Sequence, residues 1–428
     1  MNKTYKTYNA HNTQQRHPEL LIPASNLEVL KTAVIFGADA VYIGGEAFGL
    51  RAKAKNFSME EMQAGIVFAH NHQAKVYVTA NILAHNEDLE GIRKYFQELN
   101  QFDPKPDALI ISDPGVFEIA REICPTIERH ISTQANNTNY GTYNFWYRMG
   151  ASRVVTAREL TLEEIKELRM KIPPELEIET FVHGAMCISY SGRCLLSSYF
   201  TGRDANRGAC THPCRWKYHL VEEQRPGEYL PVYENERGTY IMNSKDLCMI
   251  EHIPELVDAG IDSFKIEGRM KNALYVATVA RTYRKAIDDY HISREQYEKN
   301  LPWYKEQISN CTYRQFTTGF FFGKADESAQ IYDNNTYIQE YIYLGIIGDI
   351  VIQQTALYRI EQRNKFSVGD TIEIMKPDGS NIESKVLRIL DATGKEQESC
   401  PHSKQELYIE LDQKAELYDI LRMQKSEG

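Results

Sequence analysis

Long apolar runs are missing from this 428-residue chain, and none approaches the roughly 18–20 consecutive apolar residues that a membrane-spanning helix needs. The opening, MNKTYKTYNAHNTQQRHPE, lacks the apolar core of a secretory signal. Residues 1–17 therefore read as a disordered lead-in, and a cytoplasmic location is expected. An excess of positive charge is also lacking: 49 Lys and Arg face 59 Asp and Glu, for a net charge of −10. That balance argues against a non-specific nucleic-acid coat, while a local basic patch on an acidic body still suits an RNA substrate. The common catalytic signatures are absent too. There is no H-E-x-x-H, no G-x-S-x-G, no Walker loop and no C-x3-C-x2-C triad of the radical S-adenosylmethionine kind. Gly44-Gly45-Glu46-Ala47-Phe48-Gly49 departs from G-x-G-x-x-G spacing, so dinucleotide binding has little support. A hydrophobic content of 42% with 25% charged residues excludes global disorder.

What the chain has is a repeated unit: a short β-rich run, a polar or glycine punctuation, then an amphipathic helical segment. The strand candidates are 19–24, 40–44, 75–82, 108–112, 129–134, 153–157, 176–183 and 263–268. Helical segments between them include one opening at Asn26, a natural N-cap, and one at Ser58 with Glu61 at capping-box spacing. Eight such units point to a (β/α)8 TIM-like barrel over residues 18–290, with a doubly wound open sheet as the alternative. About 80 residues separate the seventh strand from the eighth, which places a cysteine-rich insertion, around 184–245, on the functional face. Residues 291–336 read as a connector. From 337 to 428, short alternating runs separated by Val368-Gly369-Asp370 and Pro377-Asp378-Gly379 predict a small antiparallel β-barrel.

Four of the eight cysteines fall within 28 residues, spaced Cys187-x6-Cys194-x15-Cys210-x3-Cys214. In a reducing compartment such thiols are metal ligands or redox groups rather than a disulfide frame. Four thiolates within reach of one point hold either tetrahedral zinc or an iron–sulfur cluster. The wide first pair suits a cluster larger than one ion, and Gly184, Gly192 and Gly208 let the backbone come close. Buried free thiols are the bland alternative. Cys248, read at the start of a helix, is an alternative ligand to Cys214, whereas Cys124, Cys311 and Cys400 read as packing residues.

Barrel chemistry sits at the C-terminal ends of the strands. This nominates Asn81, Asp113, Thr133, Gln134, Asn136, Arg158, His183, Glu267 and Arg269. His183, four residues before Cys187, is either a proton donor or sulfide partner, or a core histidine bonded to backbone. Lys265 and Glu267 share a strand face and can pair with each other. In the insertion, Arg193, Arg203, Arg207, Arg215 and Lys217 interleave with Tyr190, Tyr199, Phe200, Trp216 and Tyr218. Phosphate contact and base stacking on a flipped-out nucleotide require that mixture. A second basic group, Arg269, Lys271, Arg281, Arg284 and Lys285, follows strand eight.

The segments FVHGAMCISYSGRCLLS (Phe181–Ser197), RGACTHPCRWKY (Arg207–Tyr218) and SFKIEGRMK (Ser263–Lys271), with ELLIPA and ERHISTQANN, resemble the collagenase-like peptidase family over about residues 18–290. The resemblance implies a [4Fe–4S] cluster held by Cys187, Cys194, Cys210 and Cys214, with oxygen-independent hydroxylation of RNA bases or quinone precursors. It implies prephenate as the oxygen donor. The branch resembled hydroxylates the wobble uridine of the tRNA anticodon loop to 5-hydroxyuridine. On that reading Arg269 recognises the dicarboxylate, Arg51 and Arg158 are further clamps, and His183 and Glu267 join Arg269 in the catalytic set. Gln134, Asn136, Tyr190, Arg215 and Trp216 would surround the substrate. Two other readings stay open: a peptidase with a structural metal, and a non-catalytic RNA-binding protein with a structural zinc site. A homo-oligomer or a paired paralogue is a further expectation.

Overall fold

Each β-rich run that heads a repeat is too short for a helix and carries apolar side chains toward both faces, as a doubly covered parallel strand requires. The computed structural model describes residues 17–46, 48–49, 56–187, 189–216, 220–221, 229–230, 234–235, 238–239, 245–311, 315–323, 340–352, 357–402 and 404–425. In it the runs form β1 (Glu19–Pro23), β2 (Ala40–Gly44), β3 (Lys75–Ala80), β4 (Ala108–Ile111), β5 (Glu128–Ile131), β6 (Arg153–Val155), β7 (Glu177–Ala185) and β8 (Ser263–Ile266). They pair in parallel in chain order, and β8 meets both β7 and β1, so the sheet closes into a barrel.

Helices α1 (Leu27–Ile35), α2 (Met59–Asn71), α3 (Asn86–Asn100), α4 (Pro114–Ile123), α5 (Tyr140–Met149) and α6 (Leu162–Lys171) follow the first six strands. The expected caps form: Asn26 accepts from the Val29 N–H, and Ser58 and Glu61 bond reciprocally. Helix α5 escaped the sequence reading. Five of its ten residues are aromatic, a composition that favours strands. Burial of Tyr143 and Trp146 against the barrel overrides that preference.

The insertion after β7 carries the short helix α7 (Leu196–Thr201) and returns through a strand, Asp246–Cys248, antiparallel to the end of β7. Cys248 thus ends a strand opposite His183 rather than starting a helix, and its Sγ lies 3.9 Å from the Tyr283 hydroxyl. Helix α8 (Ile253–Asp258) precedes β8, and α9 (Ala273–Ile292) and α10 (Arg294–Ser309) follow it.

The C-terminal domain is a closed antiparallel barrel of β9 (Tyr341–Ile352), β10 (Leu357–Glu361), β11 (Thr371–Met375), β12 (Asn381–Asp391), β13 (Glu406–Leu411) and β14 (Ile420–Gln424). The unforeseen strand β14 sits between β9 and β11 and completes the ring. The domain docks on α9: buried Arg281 donates to the carbonyls of Lys376 and Ser380 at 3.0 and 3.4 Å. Arg284 pairs with Asp39 and Asp288, and Lys285 with Asp289, so the second basic group forms no open patch. Among the described residues no helix is long and apolar enough to cross a membrane. Residues 1–16 lie outside the described set, and His17 bonds Asp288 at 3.1 Å.

Candidate active site

Inside the barrel, side chains alternate between the helix layer and the barrel axis. Leu21, Ala40, Tyr42, Tyr77, Ala108 and Ile110 make a small interior core. At its N-terminal end Arg153 bonds Glu19 and Glu177 at 2.6 Å and Glu179 at 2.9 Å. Lys265 bonds the other oxygen of Glu179 at 2.6 Å. The expected Lys265–Glu267 pair is therefore replaced by a Lys265–Glu179 pair, because Lys265 points down the axis to a wholly buried carboxylate. Burial alone would raise the Glu179 pKa, but Lys265 and Arg153 outweigh it and hold it at about 2.

Above this layer the C-terminal mouth opens into a cavity of about 190 Å3. Its floor is Tyr42, Lys265 and Phe181; its walls include Thr79, Arg158, Glu267 and Arg269. The insertion roofs it and contributes Cys187, Cys194, Cys210 and Cys214, all four of the clustered cysteines. Cys248 is not among the lining residues, and Cys124, Cys311 and Cys400 are fully buried elsewhere. The roof is fastened at two sides. Asn136 donates to the Ser191 carbonyl at 3.1 Å, and Gly192, at φ +70°, packs over Gln134. Arg207 bonds Asp88 and Glu87 at 2.9 and 3.0 Å at the start of α3, so its charge serves the fold rather than a phosphate.

Arg269 is 5% exposed and donates to the Thr79 hydroxyl at 3.0 Å. Its guanidinium lies against Gly44, where a Cβ would stand 2.8 Å from Nη1. Arg158 stacks over the Phe181 ring at 4.0 Å and donates to the Ala185 carbonyl at 2.7 Å, fixing the strand end from which Cys187 departs. Its Nη2 lies 3.9 Å from Glu267, and its buried Nε has no hydrogen-bond partner among the described residues. Gln134 accepts from Asn81 at 2.9 Å and from the Ser132 hydroxyl, at the cavity wall.

Thr133 borders the cavity while donating to the Thr156 carbonyl at 2.9 Å, whereas Asp113 stands apart as the N-cap of α4. His183 does not line the cavity: its ring is buried among Tyr275, Tyr283 and Phe316, which matches the core reading rather than that of proton donor. Burial, aided by Lys271, pushes its pKa down to about 3 and keeps it neutral. Tyr190 lines the mouth, and Trp216 is exposed and not among the lining residues, whereas Arg51, Lys217, Tyr218 and the Arg215 side chain lie outside the described residues. Sequence reasoning passed over Thr79, Asn206 and His212, which line the cavity. Thr79 shares the face of Tyr77 and Asn81 by strand alternation, and His212 lies between Cys210 and Cys214, so both signals were present.

Among the described residues no three Cys, His, Asp or Glu side chains are gathered as they stand to hold a metal ion. The donor set itself suits soft-metal chemistry: four thiols border one cavity, three half-buried and Cys187 exposed. The His212 N–H donates to the Cys210 sulfur at 3.4 Å.

The description "Peptidase family U32" matches residues 25–331, and that of the U32 C-terminal domain matches residues 339–422. The chain belongs to peptidase family U32. The resemblance drawn from the cysteine-bearing motifs is thereby borne out. This U32 chain is 40% identical to tRNA hydroxylation protein P1 of Bacillus subtilis (strain 168) over 410 residues, 96% of both chains. It is 37% identical to tRNA hydroxylation protein P of Escherichia coli (strain K12) over 451 residues, 96% of this chain and 97% of that one. A 23S rRNA 5-hydroxycytidine synthase of Escherichia coli (strain K12) is 38% identical over 270 residues, 63% of this chain and 39% of that one.

Proposed function

We propose that this U32 protein hydroxylates an RNA base, specifically the wobble uridine of tRNA to 5-hydroxyuridine, without molecular oxygen. The observation that carries the reading is the convergence of Cys187, Cys194, Cys210 and Cys214 on the same barrel-mouth cavity as Arg158, Glu267 and Arg269. The full-length likeness to proteins named for tRNA hydroxylation supports tRNA rather than rRNA, since the rRNA enzyme is matched over only 39% of its length.

The four cysteines would hold a [4Fe–4S] cluster, which supplies one-electron chemistry and a Lewis-acid site at the mouth. Replacing the C5 hydrogen of uridine by hydroxyl removes two electrons from the ring and adds one oxygen, so the donor leaves reduced by two electrons. Prephenate, a dicarboxylate, is the proposed donor. Arg269, braced by Thr79, and Arg158, held by the Ala185 carbonyl, supply guanidinium groups for its carboxylates. Among the described lining residues Glu267 is the one carboxylate, and it stands 3.9 Å from Arg158 Nη2, where it would orient that guanidinium. Phe181 and Tyr42 offer flat apolar surface to a ring, and the roof limits water.

Nucleoside mass spectrometry of tRNA and rRNA from cells with and without the gene tests the substrate. The expected result is loss of a uridine species carrying one extra oxygen from tRNA alone. Unchanged tRNA with altered rRNA would overturn the assignment. Cys194→Ala is expected to lose both iron and product; normal hydroxylation by that variant would end the cluster mechanism.

A further inference from the structure

The outer face of the insertion is aromatic and open. Tyr199 is 83% exposed, Phe200 45% and Trp216 43%, and Leu195 and Tyr190 of the same insertion are exposed as well. The Tyr199 and Phe200 rings meet edge to face at 5.1 Å, and Phe200 and Trp216 are 6.1 Å apart. Water does not favour such a patch, and contiguous exposed apolar surface marks an interaction site. The rings are firmly attached to the cavity roof. The buried Ser197 hydroxyl of α7 accepts from the Thr211 N–H at 3.1 Å, next to Cys210, and Trp216 follows Cys214 by two residues.

Charge selects the partner. Arg193 and Arg203 are exposed on the same insertion, and among the described residues neither has an ion-pair partner. In a chain of net charge −10, with Arg207 already neutralised by Asp88 and Glu87, two unmatched guanidinium groups on the insertion that carries the exposed rings fit a polyanion with flat apolar bases. We propose that Tyr199, Phe200 and Trp216, with Arg193 and Arg203, form a stacking platform for the unpaired nucleotides flanking the base that enters the cavity. This deepens the RNA reading given above and rests on it.

The test uses full-length protein purified anaerobically and a fluorescently labelled anticodon stem-loop RNA. Phe200→Ala/Trp216→Ala is expected to raise Kd by at least about tenfold, at metal content and unfolding midpoint equal to wild type. Trp216→Phe, which keeps a stacking face, is expected to bind close to wild type. Arg193→Ala/Arg203→Ala should flatten the dependence of log affinity on log salt by about 1.4, the value for two single-strand phosphates. Equal binding by wild type and the double aromatic variant would overturn the platform. So would a variant that changed only self-association in sedimentation, since the face would then be a protein interface. Wild-type protein that bound no stem-loop would remove the RNA reading itself.

Discussion

Arg153 and Arg158 stand five residues apart, at the start of β6 and just beyond its end, and they are held in opposite ways. Arg153 meets three carboxylates within 3 Å, on β1 and at two levels of β7, and its charge is fully answered inside the barrel. Arg158 makes one bond to a carbonyl, leaves a buried Nε without a partner among the described residues, and reaches Glu267 only at 3.9 Å. A barrel that used polar interior groups for stability alone would match them at both ends. This one answers the Arg153 charge at the lower end and leaves Arg158 with hydrogen-bonding capacity at the upper end, where the cysteines are.

The comparison breaks most sharply under Arg153→Met. Removing the shared guanidinium of a buried ion network leaves Glu19 without its cation and Glu179 with Lys265 alone, and a loss of about 3–5 kcal/mol in urea unfolding is expected. Arg158→Met removes the hydrogen bond to the Ala185 carbonyl, so about 1 kcal/mol is expected, with hydroxylation falling much further than stability. Equal destabilisation by the two substitutions would erase the distinction between the ends.

A second measurement separates the cavity from the core behind it. His183 is buried and its pKa is lowered by desolvation to about 3 from 6.5. A depressed folded pKa means that the unfolded chain binds the proton more tightly. Stability from this group is therefore full above pH 6.5 and is lost as pH falls toward about 3. His183→Phe, packed against Tyr275 and Tyr283, should reduce the difference in urea midpoint between pH 7 and pH 5 and leave product formation measurable. Abolished hydroxylation with an unaltered pH dependence would restore the ring to the chemistry.

Much of this architecture was legible in the sequence because its signals are local. The eight strand runs, the Asn26 cap and the Ser58–Glu61 box each depend on residues within one turn or strand. The cysteines were legible through density alone. What escaped depends on contacts distant in sequence. Helix α5 needed the barrel surface to bury Tyr143, and β14 needed the other strands of its barrel. Lys265 was read against its near neighbour Glu267, while its actual partner, Glu179, lies across the β7–β8 seam. Arg207 likewise found α3, more than a hundred residues upstream. Spacing identifies which residue types are available, and topology decides which of them meet.

The smallest expected effect on the fold falls at Gly44, and it tests the upper end most directly. A Cβ there would stand 2.8 Å from Arg269 Nη1 and 2.9 Å from Cζ, the far end of a flexible side chain rather than backbone. Gly44→Ala should therefore move the guanidinium and leave β2 in place, costing less than about 1 kcal/mol of stability. The displaced group would lose its bond to Thr79 and its position on the wall. Hydrogen bonds to charged groups contribute about 1.5–3 kcal/mol, so KM for the anionic co-substrate should rise about tenfold or more. KM for tRNA should move little, because the stacking rings lie on the outer face of the roof. An unchanged co-substrate KM with Arg269 displaced would mean that the guanidinium braces the barrel mouth instead of binding the carboxylate.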